Sequence, residues 1–546
     1  MILTGDIMNR RVLTVFSLFA LASLALLIRI GYINNSDSSV RADSVKYSSY
    51  LINEKRGYIY DVNMRPMVNT KTDYYIAAAP DSGSRSILKE RLTSDEFLKI
   101  ESNFTSGKPI LLKTDREIKA GSGITAFKTY ERYSDSDPAQ NLIGYLDSSG
   151  NGAFGLEKIY NTFLSENSGT IKAQFPVSAS GISLSGAQIR IKNDNYYSKA
   201  GIVLTIDKNI QSICENALRE NKIETGCAVV LDVRDNSITA LATAPSIDRS
   251  NLQKSVNDEN SPFVNRALSA YSVGSVFKPI VAAAALDSGI SENMTVGCDG
   301  KISVNSTVFN CHKNDGHGVL DMAGATAVSC NEYYITLGLK TGADKIIDLA
   351  SSLGLGKEIK LADSLVCEGG NVPDKSEIDS APALANLSFG QGTLMASPLQ
   401  IAGVYSAFAS SGIYRTPYLI KCFTDENGAV TAYYKNETQN RVITESVCKK
   451  IQSMLELTVT DGSGKNAKPE KNTAAGKTAT AQSGWYENGE EVLHTWFAGY
   501  FPAENPRYTI VVMNEHGEYS STDCAPAFKT IADGIYDIEL QYAKKQ

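Results

Sequence analysis

From Val12 to Ile28 the chain runs VLTVFSLFALASLALLI, seventeen residues without a charge, set between Arg10–Arg11 and Arg29. Carried on through Ile30 and Ile33, the run reaches about 20 residues, enough to cross a hydrocarbon layer roughly 30 Å thick with Arg29 snorkelling to its edge. A cleaved signal peptide has an apolar region of only about 7–15 residues. Ile28, Arg29 and Ile30 also stand where its small-residue cleavage site would begin. The pattern therefore predicts an uncleaved anchor, with residues 1–33 forming a short tail and a membrane helix. Arg10, Arg11 and the terminal amine favour an inside tail, while Arg41 and Lys46 on the far side weaken that bias. No second run of this quality follows, which places the remainder on one side of the membrane.

Residues 34–200 are polar and rich in Ser, Gly and Asp, with short apolar runs at Tyr74–Ala79 and Asn141–Leu146. These predict short strands and turns of a small α+β module. From Gly201 the texture changes. Ile202–Ile206 predicts a strand, and Lys208–Leu218 a helix with Ile210, Ile213, Cys214, Ala217 and Leu218 at helical spacing. Cys227–Val233 and Ser237–Thr243 predict two strands joined by a turn at Arg234–Asp235–Asn236. Near the other end, His494–Phe501 and Arg507–Asn514 alternate as strands around Pro502–Pro506, and Ala525–Tyr542 reads as helical. Strands, a long helical middle, more strands and a last helix predict an α/β sandwich over residues 201–546.

Composition narrows the picture. With 546 residues, 42% hydrophobic and 21% charged, the chain can bury cores in several domains. Its formal charge of −7 repels phosphates on average and argues against nucleic acid as a partner. Nine cysteines, an odd number without a Cys-x-x-Cys, do not suggest a disulfide scaffold or a thiolate metal cluster.

The candidate chemistry lies in the middle. Ser-x-x-Lys occurs at Ser86–Lys89, Ser275–Lys278 and Ser446–Lys449. Ser86 lies in a polar stretch, and Ser446 begins an amphipathic helix. Ser275 follows Gly274 and precedes Pro279 and the apolar run Ile280–Leu286. Pro279 fits only the first turn of a helix, so Ser275 and Lys278 stand at a buried helix N-terminus, three residues apart on one face. A serine hydroxyl needs a neighbouring base to become a nucleophile. Lysine can serve if burial and the positive helix end lower its pKa.

Ser329–Cys330–Asn331 lies in the apolar, helix-like segment AGATAVSCNEYYITLG, where two polar side chains need a reason; a helix cap or turn is the plainer one. A basic strand is the third element. Lys340–Thr341–Gly342 is set aside, because it closes one helical run and precedes another, making Gly342 a helix cap. Lys477–Thr478–Ala479–Thr480 leads through a turn into the alternating run HTWFAGYF, as a sheet-edge strand would.

In this order, Ser275-Val-Phe-Lys278, Ser329-Cys-Asn331 and Lys477-Thr-Ala-Thr480 resemble the three active-site motifs of penicillin-binding proteins. The stretches RGYIYDVN (56–63), LIGYLDSSGNGAFGLEKIY (142–160), LTIDKNIQ (204–211) and FGQGTLMASPLQIAGVYSAFASSG (389–412) agree. No segment before residue 200 looks like a glycosyltransferase domain, so the chain resembles class B, the membrane-anchored D,D-transpeptidases of cell division and elongation. The resemblance implies a serine β-lactamase/transpeptidase-like α/β sandwich with an antiparallel sheet, behind a pedestal or dimerisation-like module at 34–200. It also implies the roles. Ser275 would attack the bond between the terminal D-alanines of a peptidoglycan stem peptide, Lys278 would take its proton, and Ser329 would relay a proton to the departing D-alanine. Asn331 would hold the peptide amide, Lys477 would add positive charge near the terminal carboxylate, and Thr478 and Thr480 would supply hydrogen bonds. The N–H groups of Ser275 and Thr480 would form the oxyanion hole. Partners implied are donor and acceptor stem peptides, β-lactams as covalent inhibitors, the cytoplasmic membrane and a polytopic membrane glycosyltransferase. No cofactor or metal is needed.

One departure stands out: the family's usual Gly is replaced by Ala479, whose methyl should narrow the approach to the strand. Cys311, His312 and His317 invite a zinc reading but lack a fourth ligand and suitable spacing. Cys298 and Cys311 are candidates for a disulfide. Two other functions stay open. A serine β-lactamase shares fold and motifs, although no Glu-x-x-Leu-Asn lies between Ser329 and Lys477. A non-catalytic scaffold or β-lactam receptor would keep the fold for binding alone.

Overall fold

Alternate residues of the strand Gly226–Asp232 enter two different cores: Cys227, Val229 and Leu231 one, Ala228 and Val230 the other. A strand covered on both faces carries such a continuous apolar run, and it marks the centre of a layered fold. The computed structural model describes residues 3–35, 46–121, 123–184, 188–434 and 439–544. Gly226–Asp232 belongs to a five-stranded antiparallel sheet in the order Ile238–Ala244, Gly226–Asp232, Tyr508–Asn514, Glu490–Phe501, Ala475–Glu487. On one face pack the amphipathic helix Lys208–Glu220 and the last helix, Cys524–Ala543. On the other lie the apolar helices Lys278–Asp287 and Pro398–Ala409, with Trp496, Ala498, Val511 and Met513 from the sheet beneath them. This is the expected α/β sandwich with an antiparallel sheet. The predicted strands and helices after residue 200 appear within one to four residues of their sequence bounds.

Caps explain where the helices start. Asp207 accepts the N–H groups of Asn209 and Ile210, Ser397 and Gln400 form a capping box, and Thr444 accepts from Val447. The helix Asn331–Thr341 ends at Gly342, whose φ of 87° closes it as expected of the rejected Lys-Thr-Gly.

By contacts the described chain forms two units: Met1–Glu54, Thr72–Tyr130 and Thr170–Tyr196 in the first, and Lys55–Lys71, Glu131–Gly169 and Tyr197–Gln546 in the second. The first contains two three-stranded sheets, one in the order Lys46–Lys55, Gly169–Val177, Arg190–Asp194, the other in the order Ile110–Thr114, Lys71–Ala78, Ile124–Glu131. Helices Ser82–Arg91 and Ser94–Ser106, each opened by a capping box, contribute Leu88, Phe97 and Ile100 to a core with Ile76 and Ile110. The family-like stretches 56–63 and 142–160 fall in the second unit, where Tyr58–Tyr60 pairs in parallel with Gly201–Leu204. There Arg132 donates to the fully buried Glu157 at 2.7 Å, and Arg65 ties Asp61 to Asp207.

Asn141–Leu146, expected as a strand, instead begins with the short helix Gln140–Ile143. The Asn141 side chain accepts from the N–H of Ile247 at 3.0 Å and donates to Pro262 O at 2.5 Å, so tertiary bonds override the local strand pattern.

At the start of the chain Leu3–Asn35 is helical, and Val12–Tyr32 is long and apolar enough to cross a membrane with none of it buried. Arg41 lies outside the described residues, as do the side chains of Arg10 and Arg11.

Candidate active site

Ser275 sits in a 3-10 turn, Gly274–Phe277, that runs directly into the Lys278–Asp287 helix with Pro279 in its first turn. The Lys278 N–H donates to Ser275 O, closing the turn. Ser275 and Lys278 are thus one turn apart along the backbone. Gly274 has φ +57°, and a Cβ there would come within 3.0 Å of the Ala481 Cβ. Only glycine lets this turn lie so close to the neighbouring strand. The turn is held from outside as well: Trp496 Nε1 donates to Ser272 O at 3.0 Å and the Tyr405 hydroxyl to Val276 O at 3.1 Å.

Lys278 is fully buried. Its Nζ donates to Ser329 O at 2.8 Å, to Ser329 Oγ at 3.2 Å and to Asn331 Oδ1 at 2.7 Å, and lies 5.5 Å from the centre of the Tyr334 ring. Burial lowers its pKa to about 7. The amine is thus available uncharged near neutral pH, as a base requires. The other two tetrads differ: Lys449 is exposed and pairs with Glu445, and Lys89 is an exposed residue in the last turn of its helix.

Ser329 and Asn331 do not share one long helix. Met322–Ala327 and Asn331–Thr341 are separate helices, and Ser329 occupies the break between them with φ +59°. A non-glycine residue in the left-handed region is uncommon and costs free energy. The break turns Ser329 toward Lys278 and leaves Cys330 as cap of the second helix, accepting from Tyr333 N–H at 3.4 Å. Asn331 bridges outward, its Nδ2 donating to Asn310 O at 3.2 Å.

Lys477, Thr478, Ala479 and Thr480 lie on the edge strand Ala475–Glu487. Alternation puts Lys477 and Ala479 on the face toward the Lys278 helix, and both are buried. Lys477 Nζ donates to Thr478 O at 2.9 Å and lies 3.4 Å from Thr478 Oγ1. Burial, with Lys278 nearby, drives its pKa well below the usual lysine value. Thr480 is exposed, and Thr478 Oγ1 shares a 2.7 Å hydrogen bond with Ser463 Oγ.

Ser275, Ser329, Asn331, Thr478, Ala479 and Thr480 all line one open cleft of about 1310 Å³, with Lys278 and Lys477 buried behind its wall. The fold thus gathers all eight sequence candidates. It also adds Ser463, Phe309 and Phe389, which sequence reading missed. Ser463 sits in the turn after the Glu445–Thr460 helix, its N–H donating to Ala327 O at 2.9 Å. Its flanking glycines signalled a turn but not a site. Phe309 and Phe389 meet edge to face with centroids 6.1 Å apart, and no sequence spacing connects them.

The zinc objection needs correcting. Cys298 and Cys330, remote in sequence, join Cys311 and His317 with donor atoms all within 4.8 Å of one another, while His312 stays outside this group. A strand end, two loop positions and a helix cap supply these residues, which is why spacing hid them. Cys298 and Cys311 are both free thiols.

Comparison with known proteins agrees with this geometry. The model of the penicillin binding protein transpeptidase domain matches residues 226–533. Stage V sporulation protein D of Bacillus subtilis is 27% identical over 503 residues, covering 87% of this chain and 74% of that protein. Peptidoglycan D,D-transpeptidase FtsI of Escherichia coli is 28% identical over 428 residues, covering 74% and 66%. Among solved structures, penicillin-binding protein 3 of Mycobacterium tuberculosis in complex with aztreonam superposes with a TM-score of 0.64 at 23% identity, covering 90% of this chain and 97% of that one. With more than half its length matched by the family model and its three motifs meeting in one cleft, the chain belongs to the penicillin-binding protein transpeptidase family, as a class B penicillin-binding protein.

Proposed function

We propose that this protein is a serine peptidoglycan D,D-transpeptidase whose acyl-enzyme forms on Ser275. The observation that carries the reading is the buried Lys278 amine, one 3-10 turn from Ser275 and bonded to Ser329. Ser275 Oγ attacks the carbonyl between two terminal D-alanines of a stem peptide while Lys278 accepts the hydroxyl proton. The N–H groups of Ser275 and Thr480 receive the oxyanion, and loss of one such donor typically costs about 2.7–4 kcal/mol in the barrier. As the tetrahedral species collapses, Ser329 passes its proton to the departing D-alanine amine and takes the proton held by Lys278, leaving an ester on Ser275 and a neutral Lys278. An amine of a second stem then attacks the ester, forms the cross-link and returns the proton to Ser275.

The edge position of Ala475–Glu487 supports a peptide substrate, because an unpaired strand edge offers N–H and C=O groups to an extended chain. Asn331 fits the peptide-holding role with its amide at the cleft wall. Lys477, buried behind the cleft wall, orders Thr478 for a terminal carboxylate through its bonds to the Thr478 carbonyl and hydroxyl oxygens, and adds positive charge beside it.

In this reading residues 1–33 are a cytoplasmic tail and single membrane span, 34–200 a pedestal or dimerisation-like module, and 201–546 the transpeptidase domain outside the cytoplasmic membrane. The helix Val12–Tyr32 supports the anchor. Partners are stem peptides, β-lactams that acylate the same serine, and a polytopic membrane glycosyltransferase. The test is formation of peptide-linked stem dimers from a lipid-linked precursor by the purified chain, absent in Ser275→Ala. Rapid turnover of a penicillin label without dimers would make the protein a β-lactamase; stable labelling without dimers would make it a receptor.

A further inference from the structure

The edge strand Ala475–Glu487 runs well past the residues proposed for the reaction. Beyond Thr480 it continues as an exposed hairpin with Glu490–Phe501, pairing Gln482 with Leu493 and Glu487 with Glu490. Asn488 and Gly489 close the hairpin at φ +51° and +86°, the positive values a two-residue turn requires. Glu491 braces the irregular stretch between, accepting from Gln482 Nε2 at 2.8 Å and from the Gly484 N–H at 3.1 Å.

Of the two tryptophans in the chain, Trp496 is wholly buried, whereas Trp485 on this hairpin is 50% exposed. A large aromatic left half in water beside a cleft marks a binding surface. Its ring meets the His516 ring with centroids 5.5 Å apart, and His516 shares a 2.9 Å hydrogen bond with Thr225 and lies 3.5 Å from the Glu487 carboxylate. Trp485 and Glu487 stand two apart on one strand face, and Glu487 and His516 line the cleft. The loop after Tyr508–Asn514 brings Glu518, Tyr519 and Ser520 to the same cleft. It is pinned where the Gly517 N–H donates to Leu493 O at 3.0 Å. Tyr519 is 67% exposed. Ser520 is only 4% exposed, and its hydroxyl has no hydrogen-bond partner among the described residues. An unpaired buried hydroxyl is costly, and at a cleft wall a bound ligand offsets that cost.

Charge and chemistry narrow the ligand. Glu487, Glu490, Glu491 and Glu518 line this part of the cleft, and among the described residues the lining contains no lysine or arginine. Such a surface repels an anionic polymer. It suits a neutral saccharide, whose C–H face lies against aromatic rings and whose hydroxyl and N-acetyl N–H groups donate to carboxylates. Spacing narrows it further. In the proposed reaction the terminal carboxylate lies by Thr478 and the scissile carbonyl by the Thr480 N–H, so the donor stem runs antiparallel to the edge strand. Its upstream end points toward Glu487. About three residues precede the two D-alanines and span roughly 10 Å when extended. At about 3.4 Å per strand residue, that length ends beside Ser483 and Gly484. The sugar carrying the stem then falls at Trp485.

We propose that Trp485 and Tyr519, with Glu487, Glu518 and Ser520, form a saccharide subsite for the N-acetylated amino sugars that bear the donor stem. The subsite rests on the transpeptidase reading and deepens it. Through it the enzyme selects stems attached to glycan over free peptides, and the hairpin sets the direction in which the donor strand leaves the cleft.

The test uses the full chain in detergent carrying Ser275→Ala, which binds donors without being acylated. Calorimetric titration compares a disaccharide–pentapeptide with the same pentapeptide lacking sugar. The saccharide form should bind about 3- to 10-fold more tightly. That advantage should vanish when Trp485→Ala is added and largely persist with Trp485→Phe, which keeps an aromatic face. Both variants should melt near the parent temperature, because the side chain is half exposed. Equal affinities for the two ligands, or an advantage retained in full by Trp485→Ala, would overturn the subsite; stem dimers formed by the wild type would then leave the transpeptidase reading standing. Saccharide preference in a chain whose wild type forms no dimers would keep the subsite and remove the reaction. Binding of neither ligand, with no dimers formed, would overturn both.

Discussion

Lys278 Nζ donates to both the carbonyl oxygen and the hydroxyl of Ser329, at 2.8 and 3.2 Å. The bond to the carbonyl fixes the amine in place. The bond to the hydroxyl puts it in line with the group proposed to protonate the departing amine. Through that bond the residue proposed as the base reaches the residue proposed to release the product.

That arrangement makes the reaction depend on pH. Lys278, with its pKa lowered to about 7 by burial, is faced by Ser329, Asn331, the Tyr334 ring, Cys311, Cys330 and Lys477. It is protonated and inactive as a base below its pKa and neutral above it. Acylation by a fluorescent penicillin should thus rise about tenfold per pH unit up to about 7 and then level. Stopped-flow rates between pH 5 and pH 9 would check this, and a flat profile would remove Lys278 as the base. Folding carries the same sign: between about 7 and the ordinary lysine value the unfolded chain binds the extra proton, so stability contributed by this site falls as pH drops across that window.

Asn331 links Lys278 to Asn310 O through its two amide ends. Asn331→Ala should leave the buried amine only its two Ser329 acceptors and loosen the hairpin wall, a cost of about 1–3 kcal/mol for the lost bond. Acylation should slow by about 5- to 150-fold, with a smaller effect on melting. An unchanged rate would show that the bridge does not serve the site.

Ala479 places a buried methyl on the strand face toward the nucleophile turn. Ala479→Gly should let bulky β-lactams acylate faster while small ones change little, and should cost about 0.5–1 kcal/mol of stability because glycine weakens a strand. Parallel acylation rates for a small penicillin and a bulky cephalosporin would decide it. Equal ratios in both proteins would contradict the steric account.

Gly274, at φ +57° and 3.0 Å from the Ala481 Cβ if it carried one of its own, sets the turn that aims Ser275. Gly274→Ala should destabilise the fold by about 1–2 kcal/mol from the left-handed conformation alone. It should also slow acylation beyond what the lower stability explains. Thermal melts beside rates measured well below the transition would separate the two effects.

Much of the site was legible because its parts leave local marks. Pro279 announced the helix that buries Lys278, the alternation HTWFAGYF marked the strand beside Lys477, and the bounding runs marked Lys340–Thr341–Gly342 as a helix end. What stayed hidden depends on distance along the chain. The break at Ser329 looked helical because its neighbours are apolar, yet the bond from Lys278 and the cap at Cys330 impose a turn. Cys298, Cys311, His317 and Cys330 meet only after two hairpins and a helix start have formed, so no ligand spacing appears. Asn141 carries bonds to Pro262 and Ile247 that no local pattern encodes.

The most direct measurement is the position of the covalent adduct. After reaction with a penicillin and proteolysis, mass spectrometry of the full chain should find a single acylated peptide with the adduct on Ser275, and none in Ser275→Ala although that variant melts as the wild type does. Acylation on another residue, or a wild-type protein that carries no adduct at saturating penicillin, would contradict the account.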